Sequence, residues 1–163
     1  YSHGTAAGLW QFIPSTGKLY GLEEDWWYAG RRDVLASTKA AVQYLKNLNE
    51  LFDGDWLLAI AAYNAGPGRV QNAIDANKKS GKKTDYWHLE LPVETKRYVP
   101  KLLAVAKILQ DPLRYKQSFE RINNVPYLQA IELDSQFDLA LIAQWTGLSI
   151  DDIYAYKIAR AHV

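Results

Sequence analysis

The most constraining feature of the sequence is a run of residues that is apolar on every side. Residues 56–63 read Trp-Leu-Leu-Ala-Ile-Ala-Ala-Tyr; Asp55 precedes them, and a Gly-Pro-Gly sequence at 66–68 follows shortly after. A helix without a polar face is stable only when it is buried on all sides. Asp55 is a favourable N-cap, and Gly66 is suited to end a helix. The run therefore predicts a central, fully buried helix.

The neighbouring segments also have helical patterns. Asp33 is placed to cap a helix whose apolar positions recur every three or four residues, namely Val34, Ala41, Leu45, Leu48 and Phe52. Pro14 suits the first position of a helix. Residues 95–109 predict a further helix with a break or kink at Pro100. No strong alternating strand pattern occurs before residue 126, so the first two-thirds of the chain is predicted to be mainly α.

The last third of the sequence is different in character. Residues 116–126 are polar and turn-like and predict a linker between a domain at 1–115 and a small appendage at 127–163. In the appendage, residues 127–133 alternate like a strand. Residues 135–138 and 149–152 resemble two capping boxes, each opening a short helix. This β-α-α unit resembles a degenerate LysM module, which binds N-acetylglucosamine polymers; a helical cap on the preceding domain explains the same residues.

Composition excludes several classes of function. The 163 residues carry a formal net charge of +1, so nothing calls for a nucleic acid partner. Cysteine is absent, and the three histidines lack metal-ligand spacing. No metal and no cofactor are expected. No apolar run is long enough to span a membrane. A chain of this size forms one domain with a small appendage, and we expect a monomer.

The aromatic content points to one kind of ligand. The chain has six Trp and eleven Tyr. The apolar face of a pyranose packs on an aromatic ring while its hydroxyls form hydrogen bonds at the edge. A glycan-binding cleft would use such rings. For any individual aromatic residue, packing in the hydrophobic core is the alternative role.

Three segments resemble a known family in both order and spacing. Residues 8–11 (Gly-Leu-Trp-Gln), 62–66 (Ala-Tyr-Asn-Ala-Gly) and 94–100 (Glu-Thr-Lys-Arg-Tyr-Val-Pro) resemble signature motifs of the soluble lytic transglycosylase (SLT) superfamily. Further segments are similar to its membrane-bound, murein-cleaving branch: 11–17, 31–34 and 52–56. The resemblance covers about residues 1–115. It implies a lysozyme-like, goose-type α fold.

The resemblance also implies a reaction and a site. Members cleave the β-1,4 bond between N-acetylmuramic acid and N-acetylglucosamine in peptidoglycan, and the muramic C6 hydroxyl attacks to leave a 1,6-anhydro end. One glutamate serves as acid and then as base. Matched motif positions give Ser2 and Tyr63 as residues supporting that glutamate. They give the following as substrate-binding: Gln11, Ile13, Asn64, Glu94 and Tyr98. For Glu94, favourable electrostatics at a helix start is a structural alternative.

In the family the catalytic glutamate lies upstream of the serine that matches Ser2, which places it ahead of Tyr1. We therefore expect the chain as given to lack the catalytic-glutamate helix and to bind substrate without cleaving it. The absence of methionine agrees with a fragment or a processed product. Two alternative hypotheses about the function stay open: the protein is a hydrolytic muramidase on the same fold, or it is a non-catalytic peptidoglycan-binding protein. The resemblance implies a periplasmic, outer-membrane-associated location, with a lipid anchor outside this chain.

Overall fold

The computed structural model describes residues 6–25, 28–126, 135 and 137–156. It divides into two compact units: unit 1 combines residues 1–44 and 126–163, and unit 2 comprises residues 45–125. The predicted domain limits at 115 and 126 stay a prediction.

The described residues are mainly helical, as predicted. The α-helices are α1 (Pro14–Leu19), α2 (Val34–Leu51), α3 (Trp56–Ala65), α4 (Pro67–Lys79), α5 (Val93–Gln110), α6 (Leu139–Thr146) and α7 (Ile150–Tyr156). Short 3₁₀ turns cover Tyr86–His88 and Leu113–Tyr115. Extended pairing within the described ranges is limited to two isolated bridges, Ala7 with Phe12 and Glu24 with Ala29. None of the described helices combines the length and apolarity of a membrane span.

Unit 1 holds a small core under the start of α2. Four side chains are buried together there: Phe12, Leu22, Ala40 and Ala41. Pro14 occupies the first turn of α1, as its fixed φ predicts. The carboxylate of Asp33 accepts from the Ala36 N–H over 2.8 Å, so the predicted cap of α2 is confirmed.

A close backbone approach fixes the loop before α1. Gly8 has φ +75°, and a Cβ added there would lie 1.8 Å from the Arg31 carbonyl oxygen. The Arg31 guanidinium donates to the Phe12 carbonyl over 2.9 Å and to both carboxylate oxygens of Glu24 over 2.8 Å. Only glycine fits at this approach, because it combines a positive φ with no side chain.

Unit 2 is organised around α3, which packs on α4 and α5. The Asp55 carboxylate accepts from the backbone N–H groups of Leu57 and Leu58, which confirms the predicted cap. Four side chains of α3 are buried, namely Leu58, Ala59, Ala61 and Ala62, whereas Ile60 between them is partly buried. Trp56, the first residue of the helix, is 51% exposed. The prediction of a fully buried helix therefore holds for those four residues and is wrong for Trp56, while the remaining residues of the run are partly buried.

Helix α5 runs without interruption through Pro100, so of the predicted break or kink the break is wrong. Proline lacks the N–H that would donate to the carbonyl four residues earlier, which belongs to Lys96. In this structure the hydroxyl of Tyr86 lies 3.2 Å from the Lys96 carbonyl oxygen and 3.2 Å from that of Thr95. Burial raises the pKa of Tyr86, which keeps this hydroxyl protonated and able to donate. A side chain from outside the helix thus replaces the missing donor.

The C-terminal part of unit 1 contains two short helices, α6 and α7. The second predicted capping box is confirmed, because Ser149 Oγ accepts from the Asp152 N–H and the Asp152 carboxylate accepts from the Ser149 N–H. The first is wrong: Asp138 is itself the N-cap of α6 and accepts from the Ala140 N–H over 2.8 Å. The predicted strand at 127–133 lies outside the described residues.

Candidate functional site

Unit 2 joins two of the predicted binding residues by a hydrogen bond. Asn64 lies next to the last residue of α3, and its Nδ2 donates to Glu94 Oε1 over 3.0 Å. The hydroxyl of Thr95 donates to Asn64 Oδ1 over 2.7 Å. Both ends of one amide are therefore held by the first turn of α5, 30 and 31 residues away in the sequence.

These two hydrogen bonds determine which way the Asn64 amide faces. An ionised carboxylate only accepts hydrogen bonds, so the amide nitrogen must face Glu94. The amide oxygen then faces Thr95, which is 1% exposed and has little access to water as an alternative partner. Asn64 itself is half-buried. Its second amide hydrogen is the group that this arrangement leaves for a ligand.

A groove of about 460 Å³ lies along α5 beside this contact. Its lining residues recur every three or four positions and so share one helix face: Val93, Glu94, Arg97, Tyr98 and Lys101. The predicted binding residues Glu94 and Tyr98 therefore face the same space. Glu94 also lies in the first turn of α5, where a negative charge is favoured, so the structural alternative for this residue stays open.

Sequence reasoning missed three residues of this site. Thr95 was not assigned a role, yet it orients the amide of Asn64. Arg97 and Lys101 add two positive charges to the groove, and neither forms an ion pair within the described part of the chain. The spacing of 94, 97, 98 and 101 was the available signal, because it places all four on one face of a helix.

Tyr63 precedes Asn64 on α3 and is half-buried. Adjacent positions on an α-helix are about 100° apart, so the two side chains leave α3 in different directions. The proposed support of a catalytic carboxyl by Tyr63 stays a prediction.

The other predicted residues belong to unit 1. Gln11 is exposed, with φ 52°, and its Nε2 donates to the Gly8 carbonyl over 2.7 Å. Ile13 is 44% exposed immediately before α1. The Trp10 indole donates to Thr38 Oγ1 over 2.8 Å and ties this loop to α2. Ser2 lies outside the described residues. Across the described ranges, no group of three or more side chains is arranged to hold a metal ion.

A family model decides the classification. The model of the transglycosylase SLT domain matches residues 1–86, more than half of the 163-residue chain. The chain belongs to the transglycosylase SLT domain family. The matched span of the SLT domain includes Gln11, Ile13, Tyr63 and Asn64. Glu94 lies beyond it and is connected to it by the hydrogen bond with Asn64.

Individual relatives agree with the SLT classification. The chain is 47% identical over 96% of its length to membrane-bound lytic murein transglycosylase D of Escherichia coli strain K12, and equally to that of E. coli O6:H1. It covers 34% of each, so the chain spans about a third of the length of these relatives. It is also 36% identical, over 92% of its length and 70% of the relative's, to a protein of Alteromonas sp. (strain M-1) named for tributyltin chloride resistance.

Proposed function

We propose that the protein containing this SLT domain is a peptidoglycan lytic transglycosylase. It cleaves the β-1,4 bond between N-acetylmuramic acid and N-acetylglucosamine and leaves a 1,6-anhydro-muramic end. One observation carries the proposal: 47% identity along 96% of the chain to proteins named lytic murein transglycosylase D. The site geometry supports it, because the groove on α5 combines a phenol and a carboxylate, and the amide of Asn64 is hydrogen-bonded to that carboxylate; amides, phenols and carboxylates bind sugar hydroxyls and acetamides.

Each site residue has a proposed role. The free amide hydrogen of Asn64 binds a sugar oxygen, while Glu94 and Thr95 keep that amide in place. Tyr98 provides a ring and a hydroxyl in the groove that Glu94 also lines. The matched motif positions support Gln11 and Ile13 as substrate-binding residues, and Ser2 and Tyr63 as residues that support the catalytic carboxyl.

Glu94 is not the proposed acid. A carboxyl that donates a proton near neutral pH requires apolar, partly buried surroundings. Glu94 is exposed, accepts a hydrogen bond from Asn64 and lies in the first turn of a helix. We propose instead the family glutamate that the resemblance places upstream of Ser2.

The relatives' name also supports a location. Two of them are called membrane-bound. We propose that the protein works in the cell envelope, in the periplasm at the outer membrane, as a lipid-anchored monomer whose partners are the glycan strands of peptidoglycan.

The proposal is tested by digesting purified peptidoglycan with the full-length protein and analysing the released muropeptides by mass spectrometry. Chain ends in the 1,6-anhydro form support it. Reducing ends would identify a hydrolytic muramidase. Binding to the polymer without any release would identify a non-catalytic wall-binding protein.

A variant pair links the activity to the site. If the amide contacts the reacting sugar, Asn64→Ala should remove about 2–4 kcal/mol of transition-state stabilisation and so lower the turnover rate roughly 30-fold or more. Asn72→Ala is the matched control, since Asn72 is exposed on α4 and, unlike Asn64, forms no hydrogen bond to a groove residue within the described part of the chain. Equal losses of activity in the two variants, or a loss for Asn64→Ala that follows its melting temperature, would contradict the assigned role. Tyr63→Phe is expected to behave like Asn64→Ala.

A further inference from the structure

A second pocket in unit 2 has an exposed tryptophan beside it. Trp87 is 60% exposed, whereas its neighbours Tyr86 and Leu89 are 4% and 2% exposed. The pocket measures about 210 Å³, and its lining consists of Tyr86, Trp87, His88, Leu89, Glu90 and Lys96. It shares no residue with the groove that contains Glu94. Trp87 differs from the comparably exposed Trp56 in having this pocket beside its indole.

The segment that carries Trp87 is held in place from three directions. The Asp85 carboxylate accepts from the Trp87 N–H over 3.1 Å and contacts the His88 ring over 2.8 Å. The Tyr86 hydroxyl binds the first turns of α5. The rings of Tyr86 and Trp87 meet edge to face with centroids 5.0 Å apart. A ligand that stacks on this indole would therefore bind a platform that is already ordered.

The chemistry around the indole fits a sugar ring. A pyranose has an apolar C–H face that packs on an aromatic ring and hydroxyls that need donors and acceptors at its edge. The Glu90 carboxylate and the Lys96 ammonium, 2.6 Å apart, supply both at the pocket. Their charges cancel, so the pair does not select an anion. A drug-sized ligand needs roughly 300 Å³ or more, and the smaller volume here suits one ring.

We propose that Trp87, with Glu90 and Lys96, forms a second glycan-binding site for a single pyranose of a β-linked strand. Lys96 and Glu94 are two positions apart on α5, which places them about 200° apart around the helix axis. The side chain of Lys96 therefore leaves α5 in a different direction from that of Glu94. The second site binds a glycan segment separate from the one in the groove, and this holds whether or not the protein cleaves the strand.

The test follows the indole N–H signal of Trp87 by NMR while tetra-N-acetylchitotetraose is added to the full-length protein. The signal is expected to shift in a saturable way, and to do so equally in Asn64→Ala, which alters only the first site. Trp87→Ala is expected to weaken retention on insoluble peptidoglycan about tenfold, equivalent to about 1.4 kcal/mol. Trp87→Phe, which keeps a ring, should lose less.

Trp56→Ala is the matched control. Trp56 is 51% exposed in the same unit and lines neither pocket, so its replacement should leave retention unchanged. An indole signal of Trp87 that does not move with the tetrasaccharide, or equal loss of retention in Trp56→Ala and Trp87→Ala, would overturn the second site. A shift produced by a short acidic peptide and not by the sugar would do the same. None of these outcomes bears on the chain ends released by cleavage, so the two proposals fail separately.

Discussion

Tyr86→Phe removes the hydroxyl that replaces the donor missing at Pro100. In an α-helix the Lys96 carbonyl would accept from the N–H of residue 100, which proline lacks. The Tyr86 hydroxyl reaches that carbonyl over 3.2 Å, and its side chain is 4% exposed. The contact is only partly buried. Leaving such a carbonyl without a partner costs about 1–2 kcal/mol of unfolding free energy, the lower part of the range for buried polar groups.

A double-mutant cycle isolates this contact. Pro100→Ala restores a backbone N–H that donates to Lys96, so Tyr86→Phe should cost about 0.5 kcal/mol or less in that background. The expected coupling between Tyr86 and Pro100 is therefore about 1 kcal/mol, within the range for residues that share one partner. Urea unfolding of the wild type, both single variants and the double variant gives the four free energies. Equal costs of Tyr86→Phe in the two backgrounds would refute the reasoning.

Three further predictions concern single sites. Gly8→Ala should lower the unfolding free energy by clearly more than Gly21→Ala. Both glycines have φ +75°, so an alanine at either position adds about 1–2 kcal/mol of left-handed backbone strain. Only at Gly8 would the added Cβ also lie 1.8 Å from a backbone oxygen. Thermal unfolding measures both, and equal losses would contradict the close approach. Thr95→Val should weaken Asn64-dependent activity more than Thr95→Ser, because only serine keeps the donating hydroxyl; kinetics and melting temperatures of the two decide it. The hydrogen bond from Lys96 lowers the pKa of Glu90 from its ordinary 4.5, so its contribution to stability is present above pH 4.5 and is lost as the pH falls through the lowered value. Lys96→Met should return the carboxyl titration, followed by NMR, toward 4.5; an unchanged titration would exclude the pair.

The helices could be predicted where local signals determine them. Asp55 and Asp33 cap the helices that follow them, because a short carboxylate side chain satisfies free N–H groups within the same turn. Pro100 shows the limit of that reasoning. The local rule predicts a break or a kink, whereas the freed carbonyl of Lys96 has a donor in Tyr86, which is 10 positions upstream of Lys96. No periodicity within α5 contains that information.

The site shows the same division. The motif resemblance identified Asn64 and Glu94, and the structure brings them within 3.0 Å. Thr95 was missed because a threonine inside a helix carries no distinctive local pattern, and its role exists only through a partner 31 residues away. Trp87 could not be separated by sequence from the rings that fill the core, because exposure depends on how the chain around it packs.

The identity of the nucleophile is tested most directly by letting the full-length protein cleave peptidoglycan in water labelled with heavy oxygen. Attack by the muramic C6 hydroxyl adds no water, so the released chain ends should carry no label beyond a heat-inactivated control. Stoichiometric labelling of the new muramic ends would show that water is the nucleophile and would contradict the assignment as a lytic transglycosylase.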